Sequence, residues 1–408
     1  MKKQLVIVGL VVVGFAIWAG RFYYRNLRGA APAVLPPAKE ITKSENTTGL
    51  PLTLPPGFSI SIFAKDLDGP RVLVQDMTRT VLVSVPGSGK VVALPDVNSD
   101  GVAHETKTVV DGLNRPHGLA FRGGKLYIAE TDQVAVYDYD PKVFKATNKK
   151  KLVDLPGGGN HFSRTIAFGP DGKLYGTVGS SCNVCRESDR LRAAMFVANP
   201  DGSDVKVFAQ GLRNAVFFTW HPTTRALWAT EMGRDLLGDD IPPDEINIVK
   251  EGENYGWPIC YGKQIADREL TKNSNPNHIS PEAVCTSTTM PSHIDLPAHS
   301  APLGLAFIPD SWPAEYRDDL LVAYHGSWNR TEPTGYKVMR MKLDEKGNYL
   351  GAEDFITGWL TEGGVSGRPV DLLFDSDGSL YISDDKAGII YRVERRQKIT
   401  HYLQFVDG

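Results

Sequence analysis

"GGKLYIAE" (Gly123–Glu130), "DGKLYGTV" (Asp171–Val178) and "DGSLYISD" (Asp377–Asp384) are three copies of one template, turn-forming residues followed by a short apolar run. Looser copies begin at Thr78 ("TRTVLVSV"), Thr224 ("TRALWATE") and Arg317 ("RDDLLVAY"). A second apolar run precedes each copy: "PRVLVQ", "PHGLAF", "RTIAFG", "NAVFFTW", "PLGLAFI" and "PVDLLF". Two strands joined by a tight turn and repeated six times predict an all-β chain folded as a six-bladed β-propeller, one blade per repeat. Successive copies start 45, 48, 53, 93 and 60 residues apart. Only the fourth interval departs strongly from a blade length of ~40–50 residues, so one blade is expected to carry an insertion. An α/β enzyme would need long amphipathic helices between the strands, and no such pattern is found.

The 408 residues are 41% hydrophobic and 23% charged, with a formal net charge of -3. This gives ample core and no global field that would favour nucleic acid. Lys2 and Lys3, an apolar run from Leu5 to Ala19 and then Arg21, Arg25 and Arg28 mark residues 1–28 as a secretory signal or membrane anchor. Ile17 and Trp18 stand where a cleavage site needs small residues, which favours an uncleaved anchor. Residues 29–53 read as a flexible linker and 54–408 as the propeller. The expected location is the periplasm, either held at the inner membrane or exported after cleavage. In such an oxidising compartment Cys182, Cys185, Cys260 and Cys285 are expected as two disulfides. Arg186 after the C-x-x-C argues against a c-type haem, and the lack of a second C-x-x-C argues against zinc.

In a propeller, equivalent positions of different blades meet at one channel mouth. The residues that open the inner runs are Arg71, Arg115 with His117, His161 with Arg164, Arg213 with Asn214, and Arg368. Taken singly each would be an ordinary surface or capping residue. Their recurrence at one template position suits a ligand bearing several carboxylates or phosphates. "GRDLLGDDIPPDEINIVKEGENYGWP" (Gly233–Pro258) leaves the "TRALWAT" strand at the same mouth. Its Asp235, Asp239, Asp240, Asp244 and Glu245 beside tight turns suit either a solvated loop or a hard cation such as Ca²⁺, although no EF-hand spacing is present.

"GLRNAVFFTWHP", "EMGRDLLGDDIPPDEINIVKEGENYGWP", "HSAPLGLAF", "HGSWNR" and "GRPVDLLFDSDGSLYISDD" together resemble the soluble quinoprotein sugar dehydrogenases, nearest their L-sorbosone or aldose sugar dehydrogenase branch. The resemblance covers about Leu54 to Val393. It implies a six-bladed propeller that holds pyrroloquinoline quinone (PQQ) and Ca²⁺ at its mouth and oxidises aldoses or sugar aldehydes. By the same resemblance His161 is the general base, and Arg213 and Asn214 contact the quinone. Gly233 and Arg234 offer main-chain carbonyls to the metal. Arg368 pairs with a cofactor carboxylate, Arg330 stands in for the family's lysine, and His117 joins the cofactor set from its place in the ring. Val370 occupies the position where soluble glucose dehydrogenases carry a second arginine. The electron acceptor, a membrane quinone or a soluble cytochrome, is left open.

Two rival propellers would explain the repeat. A lactonase-type hydrolase would bind its cation through side chains drawn from several blades, whereas here the acids cluster in one stretch. A non-catalytic NHL-type module would need neither His161 nor a cation loop. Trp312 and Trp359 read as packing residues, Trp328 as a residue of the mouth, and the basic run in Tyr137–Lys151 as a blade-edge loop. His299 reads equally as a lining residue or as a turn cap.

Overall fold

Short apolar-rich runs bounded by turn residues suit strands covered on both faces. In the structure, a computed structural model that describes residues 13–21, 46–271 and 280–396, every template copy contributes the second strand of a four-stranded antiparallel sheet. Val81–Val85, Leu174–Val178, Leu227–Glu231, Leu320–Tyr324 and Leu380–Asp384 are buried throughout, each sandwiched between its neighbouring blades. The preceding runs supply the innermost strands: Leu73–Gln75, Leu119–Arg122, Ile166–Phe168, Phe218–Trp220, Pro302–Phe307 and Pro369–Phe374. The six-bladed propeller inferred from the repeat is the observed fold. Inner strands pass close to one another around the axis, and the glycine of "PHGLAF" and "PLGLAF" permits this. A Cβ at Gly118 would stand 2.5 Å from the Arg164 carbonyl oxygen, and one at Gly304 would stand 2.6 Å from that of Val370.

Sequence repeats alone did not show how the ring closes. Phe58–Ala64, near the start of the described propeller, pairs antiparallel with Ile389–Arg395 and becomes the outermost strand of the last blade. Phe58 packs against Trp312, Tyr316 and Phe355, with centroids 4.6, 5.4 and 5.4 Å away. Residues 46–53, expected within a flexible linker, are also part of the fold. Asn46 bridges Ile60, Thr53 bridges Thr357, and Leu52 is buried. The anchor or signal segment 1–28 and the rest of the linker lie largely outside the described residues. Residues 13–21 are helical, and among the described residues no helix is long and apolar enough to cross a membrane.

The insertion belongs to blade four but is shorter than the acidic stretch implied. Residues 232–243 form a loop, after which Asp244–Val249 is the blade's third strand, so Asp244 and Glu245 are buried strand residues instead of loop acids. The added segment runs from Val249 to the fourth strand, Ile294–Leu296. It carries a ribbon of Cys260–Tyr261 with Ile265–Ala266 and two short helices, α1 (Arg268–Thr271) and α2 (Pro281–Thr288). The Cys260–Cys285 disulfide ties α2 to the ribbon, and Cys182 pairs with Cys185. The basic run in Tyr137–Lys151 forms the outer hairpin of blade two, strands Gln133–Asp140 and Lys145–Asp154, not a loop. Trp312 and Trp359 are buried, as their packing role requires.

Phe58→Ala removes the aromatic anchor of the closing strand. Deleting a buried Phe costs ~3–5 kcal/mol, so the melting temperature is expected to fall by about 10 °C. Val97→Ala, at a position 72% exposed, should leave it unchanged. Differential scanning calorimetry of the two variants decides the point.

Candidate functional site

Two sets of loops open on the same face: those leading into the innermost strands and those joining second to third strands. They enclose a cavity of about 430 Å³ lined by His161, Arg213, Asn214, His325, Trp328 and Arg368, among others. That volume lies within the ~300–1,000 Å³ usual for cofactor and small-ligand pockets. Six blade-entry and crossover loops from blades three to six therefore meet, although their residues are as much as 207 positions apart, from His161 to Arg368.

His161 precedes the inner strand of blade three. Its Nδ1 lies 2.9 Å from the Ser180 carbonyl oxygen and 3.0 Å from Ser180 Oγ. A carbonyl only accepts, so Nδ1 carries the proton and Nε2 is left as the acceptor. Burial, with the charge of Arg213 next, depresses the His161 pKa to about 3. The ring is thus neutral across the neutral pH range. Gly179 makes room for it, because a Cβ there would stand 2.6 Å from His161 Cβ and 2.7 Å from Asn214 Oδ1. Arg164, fully buried, donates to the carbonyls of Pro156, His161 and Ser163 and so fixes the His161 loop from below.

Arg213 enters blade four, and every nitrogen of its guanidinium is engaged. Nε donates to Asn183 O (2.9 Å), Nη1 to Gly233 O (2.9 Å), and Nη2 to Asn183 Oδ1 (2.9 Å) and Asp235 Oδ2 (3.1 Å). Burial lowers its pKa, with the Asp235 carboxylate the foremost opposing influence. Asn214 N donates to Glu231 Oε1 at 3.0 Å. Arg368, before the inner strand of blade six, donates through Nε to His325 O (2.9 Å) and through Nη2 to Gly326 O. Among the described residues no carboxylate lies within 4.0 Å of it, which leaves its charge available to the cavity.

Two residues of the expected set sit elsewhere. His117 is fully buried between Phe162 and Phe217, does not line the cavity, and has a pKa held well below the ordinary value by burial. Arg330 pins the acidic loop from outside, donating to Asp239 O (2.6 Å) and Asp240 Oδ1 (3.0 Å). Arg234, expected to act through its main-chain carbonyl, turns its side chain into ion pairs with Asp267 (2.6 Å) and Glu269 (2.8 Å). Val370 is a core residue of the last blade's inner strand. The structure adds His325, whose Nε2 lies 2.8 Å from Asp385 Oδ1 while Arg71 pairs with Asp385 Oδ2 at 2.6 Å. Burial, opposed by Asp385, depresses the His325 pKa to about 4. It heads "HGSWNR", the motif that also brings Trp328 and Asn329 to the cavity, so its place was readable from that run. His299 both lines the cavity and makes a turn contact, lying 2.7 Å from Gly238 O through Nε2.

Comparison with known proteins places the chain in a family. Residues 52–396 match the TrAA12-like family. The chain belongs to that family. An uncharacterised protein of Borreliella burgdorferi is 31% identical over 376 residues, 87% of this chain and 92% of that one. The pyrroloquinoline quinone-dependent pyranose dehydrogenase of Coprinopsis cinerea is 27% identical over 406 residues, 83% of this chain and 54% of that one. The chain thus spans about half the length of that dehydrogenase. The holo form of the latter's PQQ domain superposes with a TM-score of 0.73 at 23% identity, covering 85% of this chain and 97% of that one. PQQ-bound aldose sugar dehydrogenase of Streptomyces coelicolor gives 0.60 at 18%, covering 84% and 99%. These likenesses bear on the fold, and the family match agrees with the resemblance to quinoprotein sugar dehydrogenases.

Two ligand groups can be tested against this TrAA12-like cavity. An unpaired guanidinium, imidazoles and side-chain amides around a volume of this size fit a flat polyanion such as PQQ. Ca²⁺ is served less well. It takes 6–8 oxygen ligands, yet the acids of the stretch are spent on protein donors. Asp235 holds Arg213 and Asn329, Asp239 Oδ1 accepts from Thr331 N, Asp240 holds Arg330, and Asp244 accepts from Gly233 N, Ala301 N and Ser300 Oγ. Of the two main-chain carbonyls expected to serve the ion, that of Gly233 already accepts from Arg213. The protein's own donors do not by themselves fit the ion.

Arg213→Gln removes the charge that, after burial, most lowers the His161 pKa. The imidazole pKa is expected to climb from about 3 toward its ordinary ~6.5. An NMR titration of the His161 ring nitrogens reads the shift directly.

Proposed function

We propose that the chain is a PQQ-dependent dehydrogenase of aldoses or sugar aldehydes, sorbosone-like substrates included. The observation that carries this reading is one cavity in which a neutral histidine with a fixed tautomer faces an arginine free of any carboxylate partner. PQQ, when bound, supplies the two-electron acceptor for the hydride of the sugar carbon.

The chain's residues divide the remaining work. Arg368 binds a cofactor carboxylate, because its unpaired charge is the strongest anion donor facing the cavity. His161 accepts the substrate hydroxyl proton at Nε2 while its Nδ1–H stays on Ser180, which holds the ring in the orientation that transfer requires. A base with a pKa of about 3 is weak. His161 gains basicity when an anion offsets the arginine charges, and this moves its pKa up toward the working range. Arg213, locked by Asn183, Gly233 and Asp235, places a fixed positive charge beside the negative charge that develops during transfer. Substrate approaches past Trp328, which is 49% exposed at the rim.

A Ca²⁺ ion held by the Gly233 carbonyl would need further ligands from outside the protein, which offers it so few, and would then bind only together with PQQ. No step above depends on it. The N-terminal segment is proposed to export the chain and hold it at the periplasmic face of the inner membrane. Electrons then pass to a quinone or cytochrome there.

Apo-protein titrated with PQQ and assayed by dye reduction with a panel of aldoses tests the reading. His161→Asn should bind PQQ as the unaltered protein does yet lose ~10²–10⁴-fold in kcat. Arg368→Gln should weaken PQQ binding about tenfold, and absence of PQQ binding by the unaltered protein would sink the proposal. In calorimetry, Ca²⁺ alone should give no binding heat, whereas Ca²⁺ added to the PQQ complex should give one.

A further inference from the structure

The segment Ser180–Glu187 joins the second and third strands of blade three and passes between His161 and Arg213. Its C-x-x-C motif is closed by the Cys182–Cys185 disulfide. Toward His161, Ser180 offers its carbonyl to Nδ1, and its hydroxyl donates to Cys182 O at 2.7 Å. Toward Arg213, Asn183 uses both of its oxygens: O accepts from Nε and Oδ1 from Nη2, each at 2.9 Å. The same Oδ1 accepts from Asp235 N at 2.8 Å, and Nδ2 donates to Asp235 O at 3.1 Å. Ser181 donates through N and Oγ to the Glu187 carboxylate and accepts at its carbonyl from Asn160 N, beside His161. Every one of these bonds starts from a segment without regular secondary structure.

We infer that Asn183 is a positioning residue for Arg213 and that the Cys182–Cys185 bridge is the clamp that holds Asn183 and Ser180 in register. The geometry of both site residues then depends on the oxidation state of one disulfide. Opening the ring returns conformational freedom to residues 182–185, and hydrogen bonds alone must then order them. The two bridges differ in access. Cys182 and Cys185 are half-buried, whereas Cys260 and Cys285 are 4% and 0% exposed. A small dithiol therefore reaches the first pair preferentially. It delivers two electrons and two protons, the S–S bond breaks to two thiols, and the reagent closes its own disulfide. The consequence for catalysis rests on the quinoprotein reading, while the clamp itself does not.

The test uses Asn183→Ala, the pair Cys182→Ala with Cys185→Ala, and as a control the pair Cys260→Ala with Cys285→Ala. NMR titration of the His161 ring and PQQ affinity from tryptophan fluorescence are both read. Asn183→Ala and the first pair are expected to raise the His161 pKa by about one unit, because Arg213 swings away and water enters. They should also weaken PQQ about tenfold, the worth of one hydrogen bond to a charged group. Asn183→Asp keeps the acceptor oxygen and should restore most of the affinity. The control pair should leave the His161 titration unaltered. An unshifted His161 titration in Asn183→Ala and in the first pair, with melting temperatures preserved, overturns the clamp. If unaltered protein fails to bind PQQ, the quinoprotein reading falls, and the His161 titration still decides the clamp.

Discussion

Burying a guanidinium is costly unless its charge and all its donors are met, and the site is organised around meeting those of Arg213. Its partners come from two separate loops, Asn183 from blade three and Met232, Gly233 and Asp235 from blade four, and Asp235 is in turn held by Asn329 in a third loop, that of blade five. One buried cation thereby pulls the crossover loops of three neighbouring blades into register. The acids of the Gly233–Pro258 stretch follow the same logic. They are counter-charges and acceptors for arginines and main-chain amides, which explains a density of acids and turns that does not build a carboxylate cage for a metal.

Charge and proton affinity are coupled through this arrangement. Arg213 and the burial it shares with His161 hold the imidazole neutral. A ring that could protonate freely near pH 6 would lose its acceptor atom under mild acid and would add a further positive charge beside two arginines. Arg71 is neutralised by Asp385, and Arg213 is partly offset by Asp235. Arg368 therefore stands out less by its position than by what its neighbours lack.

Much of the fold was legible because the template repeats. Six strand pairs were readable as blades because the middle strands, covered on both faces, are short apolar-rich runs set directly after turn residues. The closing strand Phe58–Ala64 was not, since its partner lies more than 300 residues away and no local pattern marks it. Site residues were legible where each stands at the start of an inner strand, as His161, Arg213 and Arg368 do. Position in the template could not distinguish depth, so His117, one layer below the cavity, looked equivalent to His161. Nor could it show where a long side chain turns. Arg330 reaches outward to Asp239. Asn183 escaped notice because its role depends on a loop shape that the disulfide imposes, not on a motif.

The placement of the two disulfides fits a division of labour between stability and geometry. Cys260–Cys285 spans 25 residues and ties together an insertion that has little core of its own, the situation in which constraining the unfolded chain matters most. Cys182–Cys185 spans only 3 and closes a loop too small for that effect to be large. Its benefit must then lie in the folded state, in fixing which atoms the segment presents to its surroundings. The atoms it presents are the Asn183 oxygens and the Ser180–Cys182 main chain, on either side of the cavity's edge, where an error of about 1 Å can cost catalysis on the order of 10²-fold. A short crosslink at that point stiffens the two residues that must not drift, while the loop carrying Trp328 is bound by no such bridge.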